Sequence, residues 1–217
     1  MEYIFSVLNQ IGDGIWHSLI LFALTLIFSM PLGLLVCFGR MSKCKPLSLL
    51  TGFFISILRG TPLMLQLVVV FFGVYYVFGI PVSPEWRFWA AIIGFSINYS
   101  AYFAEIYRSG IESIQKGQYE AAKVLGYTRL HTFCKIIFPQ MIKRTLPPIT
   151  NEIITLTKDT SLAFVLAYTE MFTMAKQVAA AQSSITPLFV AGLMYYIFNL
   201  AIAFVMERLE KRLSYYD

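Results

Sequence analysis

Long apolar runs, each closed by a short polar or basic stretch, divide this chain from end to end. The first extends from Ile15 to Phe38, long enough to cross a bilayer, for which about 20 apolar residues suffice. Pro31 and Gly33 inside it are candidate kink sites. A second run covers residues 49–79 and is interrupted at 59–62 by Arg59-Gly60-Thr61-Pro62. Gly60 is flexible, and the residue before a proline avoids the α region. Thr61 as N-cap with Pro62 at the first helical position then restarts a helix that reaches Gly79. The pattern leaves open whether this is a simple kink or a functional break. The third run, 88–108, begins beside Trp86 and Trp89, where an aromatic belt belongs. The fourth, 147–168, opens on Pro147-Pro148, and the last, 187–206, on Thr186-Pro187. Residues 168–184 are amphipathic, with Glu170, Lys176, Gln177 and Gln182, too polar to span and expected on the outer surface. These runs predict an all-α membrane protein of five transmembrane helices, forming one domain over residues 1–217.

Composition agrees. The 217 residues are 58% hydrophobic and 13% charged, with a net charge of +5, and the mean hydropathy is +0.67. Soluble domains carry about 25% charged residues. The positive charge gathers at the ends of the apolar runs, which marks topology rather than nucleic-acid binding. Arg40, Lys43 and Lys45 directly after the first run place that loop in the cytoplasm and the N-terminus outside. Five spans then bring the basic-rich tail, Glu207 to Arg212, back to the cytoplasm. Cys37, Cys44 and Cys134 lack metal-ligand spacing and are expected as reduced thiols. Glu2 and Asp13 in place of a basic run argue against a cleavable leader.

Between the third and fourth runs lies a polar segment, 117–139, which predicts two short helices on the water side. Gln118 to Leu125 is rich in helix formers, with Glu120 and Lys123 three apart. Gly126 suits the left-handed position that closes a helix. Thr128 is a candidate N-cap for a second helix, whose apolar Leu130, Phe133, Ile136 and Ile137 recur at helical spacing. Pro139 marks the expected break after it.

Within this segment, Glu120-Ala121-Ala122, then three residues, Gly126, nine residues, Ile136, one residue and Phe138-Pro139 resembles the EAA loop of ABC import permeases. The departure is Phe138 where that family has leucine. Arg59-Gly60-Thr61-Pro62 with Leu63 and Gln66, Ser100 to Arg108, and Lys158-Asp159-Thr160-Ser161-Leu162 resemble the polar amino-acid uptake branch, the histidine/glutamine/arginine permease type. The resemblance covers about residues 15 to 207. It implies the type I ABC importer permease architecture, with 117–139 as a cytoplasmic helix-turn-helix coupling loop. Gln118, Glu120, Ala121, Ala122 and Gly126 would be the residues that dock on an ATPase. Two ATPase subunits, a second permease copy or paralogue, and an extracytoplasmic solute-binding protein are the implied partners. The implied mechanism is alternating access in a bacterial inner or plasma membrane, delivering a polar amino acid to the cytoplasm.

Several polar residues fall inside the apolar runs, where ionisable groups cost several kcal/mol unless paired or hydrated. Asn98, Tyr102 and Glu105 share one helical face, which lines a path or serves as helix–helix glue; Glu105 can equally pair with Arg108. Glu152, Thr155 and Asp159 share a face of the fourth run. Lys158 points about 100° away, where Glu105 or another acid would neutralise it. Asn98, Tyr102, Glu152, Thr155, Asp159 and Ser161 are therefore the candidate substrate-path residues, with an ion pair that fixes helix packing as the alternative for the charged ones. An ion-coupled secondary carrier would use the same acids, but five spans without a second half argue against it. His17 and His131 stand alone, and no metal-site, nucleophile or paired-acid motif accompanies them, so neither catalytic nor metal-binding residues are expected. The phosphate-loop pattern G-x-x-x-x-G-K-[ST] is absent. ATP and Mg would thus be held by partner subunits, and no cofactor by this chain.

Overall fold

The computed structural model describes residues 2–213, which are helical apart from short connections. The helices are α1 (Glu2–Arg40), α2 (Lys45–Gly60), α3 (Leu63–Phe78), α4 (Trp86–Glu112), α5 (Lys116–Val124), α6 (Arg129–Thr132), α7 (Phe138–Asp159), α8 (Met171–Ala181) and α9 (Thr186–Leu213). A π-helical turn, Phe133–Ile137, joins α6 to α7, and a 3₁₀ segment, Thr160–Leu166, continues α7.

The main core forms around α4, whose Phe95, Tyr99 and Phe103 are fully buried. Leu21 of α1, Leu67 of α3, and Met141 and Leu156 of α7 close on them. α1 and α4 share the most extensive interface. It is tight because Gly33 has no side chain: a Cβ there would stand 2.7 Å from that of Phe103. Gly33 thus serves packing, and α1 continues through Pro31 without interruption. α4 meets α7 at Gly110, where a Cβ would collide with the Thr145 methyl. Gly110→Val should therefore cost about 1–3 kcal/mol by overpacking and lower the thermal midpoint in detergent. An unchanged midpoint would show that α4 and α7 can separate freely.

A second core explains why α1 starts well before the expected Ile15. Val7 and Ile11 are fully buried against Met171 and Ala175 of α8 and Val190 and Ala191 of α9. Apolar contact thus keeps residues 2–14 helical despite Ser6, Asn9, Gln10 and Asp13. α8 keeps Lys176, Gln177 and Gln182 exposed, as an amphipathic surface helix does, but its N-terminal end is not wet. Glu170, at its N-cap, is completely buried. Its carboxylate accepts from the N–H of Phe172 (2.6 Å) and Thr173 (2.7 Å), from the Thr173 hydroxyl (2.8 Å) and from the Tyr195 hydroxyl of α9 (2.9 Å). The N–H of Met171 donates to Ser18 Oγ of α1.

Four prolines behave differently from expectation. Thr61 is not an N-cap; its hydroxyl donates back to Ile57 O, and Pro62, with φ −63° and ψ 131°, is the extended residue before α3. α2 and α3 meet there at 111°, a true break. Pro139 does not end a helix but follows directly on the π turn, at the start of α7. The wide π turn before it relieves the clash with the preceding turn. Pro147 and Pro148 lie inside α7 rather than opening it; a helix packed on neighbours tolerates them. The second loop helix and the fourth run are therefore one continuous helical segment.

Among the described residues, α1 and α9 are each long and apolar enough to cross a bilayer, and α2 with α3 are so as a bent pair. α4 and α7, of 27 and 22 residues, have the length but carry the polar positions described next. α3 and α9 present rows of exposed apolar side chains, among them Val69, Tyr76, Val77, Phe189, Leu193 and Ile197, as a lipid-facing surface does.

Candidate functional site

Two features stand out, one before α7 and one along its first two thirds. The first is the 116–133 loop. α5 closes with the paired hydrogen bonds of a Schellman motif, Tyr127 N to Ala122 O (3.0 Å) and Gly126 N to Lys123 O (3.1 Å). Gly126 has φ +79°, which L-residues with branched side chains avoid. Thr128 caps α6 as anticipated, its hydroxyl accepting from His131 N. The resulting tip holds Val124, Leu125 and Leu130 at 87%, 68% and 74% exposure. So much uncovered apolar surface on a short polar loop is the mark of a docking face. Gln118, Glu120 and Ala121 are exposed beside it. Ala122 is not: at 1% exposure it faces inward, because successive helical residues diverge by about 100°. Of the expected docking residues, Ala122 is thus placed to pack α5 onto the protein.

The second feature is a polar cleft of about 430 Å³ between α2, α4 and α7, lined among others by Arg59, Tyr102, Glu105, Arg144 and Glu152. Most of its charges are engaged. Arg108 holds Glu105 at 2.6 Å and Glu112 at 2.7 Å. Arg144 donates to the carbonyl and hydroxyl of Ser113. Arg59 lies over the Tyr102 ring, 5.2 Å from its centre. Among the described residues, neither Arg59 nor Glu152 forms an ion pair. The cleft therefore offers one cation and one anion of its own.

The remaining candidates are spread along α4 and α7. Asn98 is buried and does not line the cleft: its amide donates to Leu58 O (3.2 Å) and Gln66 Oε1 (2.9 Å). Gln66 in turn donates to Leu58 O and to both oxygens of Thr61. Together they hold the ends of the α2–α3 break. Asp159, two turns beyond Glu152 on α7, accepts from the hydroxyl of Tyr99 at 2.8 Å. Thr155 and Ser161 spend their hydroxyls on Asn151 O and Lys158 O. Lys158 is exposed and does not meet Glu105, which belongs to Arg108. Arg59 and Tyr99 were missed as single residues. Arg59 belongs to the Arg59-Gly60-Thr61-Pro62 motif, but the residues that share the cleft with it come from positions 102, 144 and 152. Among the described residues, no group of three or more His, Cys, Asp or Glu side chains converges as a metal site.

The chain resembles known proteins over nearly its whole length. Residues 29–215 match the family model described as binding-protein-dependent transport system inner membrane component. The arginine transport system permease protein ArtQ of Bacillus subtilis (strain 168) is 35% identical, over 94% of this chain and 93% of the relative. The L-cystine transport system permease protein TcyB of the same organism is 36% identical, over 95% and 87%. Among solved structures, the crystal structure of an amino acid ABC transporter with histidines superposes with a TM-score of 0.84 at 30% identity, covering 94% of each chain.

Proposed function

The chain belongs to the binding-protein-dependent transport system inner membrane components, and on that footing we propose that it is the permease subunit through which an ABC importer brings a polar amino acid into the cell. The observation that carries this is the uncovered apolar tip Val124, Leu125 and Leu130 beside Glu120 and Ala121, at one end of a helical segment whose other end bears Asp159. The tip docks on an ATPase subunit, and two such subunits hold ATP and Mg, for which this chain has no phosphate-loop sequence. A second permease, the same chain or a paralogue, completes the pathway, and an extracytoplasmic binding protein delivers the solute.

In this reading residues 1–217 act as one domain of five spans, with α2 and α3 as the broken one. The N-terminus is outside, and the loop and C-terminus are cytoplasmic. ATP-driven closure of the ATPases moves the docked loops and opens the path alternately to each side. The cleft suits a zwitterion: Arg59 meets the α-carboxylate and Glu152 the α-ammonium group. Asp159 lies further along the same face of α7. The names of the arginine and cystine relatives support an amino-acid substrate.

Glu152→Gln should lower uptake at least tenfold, because a charge-assisted hydrogen bond to the ammonium group becomes a neutral one. The ATPase should still co-purify. Loss of the complex would instead make Glu152 a structural residue. The reading as a whole is tested by uptake into liposomes carrying this chain, its ATPase and its binding protein, with a panel of labelled amino acids outside. Uptake that requires ATP inside and the ATPase is the expected result. Uptake driven by an ion gradient alone would overturn it.

A further inference from the structure

A recess of about 690 Å³ lies beneath the loop, between its inner side and the end of α1. Neither the docking tip nor the polar cleft uses it. Its wall is apolar, formed by Phe38, Ile111 and Phe133, with the Phe38 and Phe133 rings in edge contact at 5.4 Å. Its rim is cationic: Lys43, Lys123 and Arg129 line it from three different segments, and no carboxylate does. None of the three forms an ion pair among the described residues.

We infer that this recess binds an anionic phospholipid of the surrounding membrane, its phosphate on the three cations and its glycerol and upper acyl carbons against the aromatic wall. A free anion would leave the apolar wall in water, and a neutral lipid would leave the cations uncompensated. Phe38 is near the end of the long apolar α1, followed at once by Arg40 and Lys43, so the recess opens level with a membrane surface. Basic recesses at that level suit acidic headgroups. A contact with the ATPase is less favoured, because Val124, Leu125 and Leu130 do not line the recess. The site requires only that the loop lies at a membrane surface, so it stands or falls separately from the transported solute. A lipid bridging α1, the 41–44 turn, α5 and α6 would hold the loop at a set height.

The test is a thermal-unfolding titration of the full-length chain in neutral detergent with dioctanoyl phosphatidylglycerol, dioctanoyl phosphatidylcholine, glycerol phosphate and ATP in parallel. Saturable stabilisation by phosphatidylglycerol is expected at a concentration at least tenfold below that needed of the other three. The K43Q/K123Q/R129Q variant, which changes only exposed side chains, should lose that preference and keep the midpoint of the lipid-free protein. Equal response to phosphatidylcholine would overturn the proposal, as would a preference retained by the variant. An equal response to glycerol phosphate would make the recess a simple anion site, and to ATP a nucleotide site. Should the variant not fold, the comparison of the four compounds on the natural chain decides by itself.

Discussion

Replacing Gly126 with valine is expected to abolish ATP-driven uptake, by more than tenfold in initial rate, while the chain still inserts and folds. The reason is confined to the backbone. At φ +79° a β-branched residue is strained, whereas nothing lies within 4 Å of where its Cβ would stand, so no packing is disturbed. A left-handed conformation costs an ordinary L-residue roughly 1–2 kcal/mol. That is small beside the stability of a whole domain, yet enough to deplete the native turn by a factor of about 5–30. The turn sets the angle between α5 and α6 and hence the shape of the docking tip. Asparagine tolerates the left-handed region, so Gly126→Asn should transport far better than Gly126→Val. Uptake at the natural rate by the valine variant, with its ATPase bound, would remove the turn from the coupling mechanism.

Glu170→Ala should be the most destabilising substitution outside the two sites. Four donors converge on a carboxylate with no exposed surface, and alanine would leave them without an acceptor. Each unsatisfied buried donor costs about 1–3 kcal/mol, and even with water entering the gap the loss should reach about 3 kcal/mol. For a chain of this size that corresponds to a fall of roughly 6–12 °C in the thermal midpoint. Glu170→Gln keeps one acceptor oxygen but turns an NH₂ group toward other donors, so it should recover only part of the loss. An alanine variant that melts with the natural protein would mean that α8 is not held by its cap.

The loop was legible from sequence because its signals are local. Gly126 and Thr128 act on backbone groups within four residues of themselves, so their chemistry can be recognised without knowing the fold. The cores of the apolar runs were legible for a related reason, since a bilayer imposes one rule along their length. What escaped depends on distant partners. The first turns of α1 are helical because α8 and α9, more than 150 positions on, cover Val7 and Ile11. Glu170 looked like one polar residue of a surface helix, because Tyr195 supplies part of its environment from the next helix. Pro139 reads as a break and Pro147-Pro148 as a helix start, because the π turn and helix packing that accommodate them are not local signals. Asn98 fits a polar stripe by spacing alone; only the bend between α2 and α3 reveals the carbonyl it serves.

The helical segment from Arg129 to Asp159 passes without a break through the π turn and three prolines. At about 1.5 Å per residue its contour length is roughly 45 Å. Moving as one body in the proposed transport cycle, it would act as a rocker. Tilting it by about 10° around its midpoint swings each end by roughly 4 Å, in opposite directions. A push on Leu130 would then be returned at Asp159 with its sign reversed, so that what narrows at one end widens at the other.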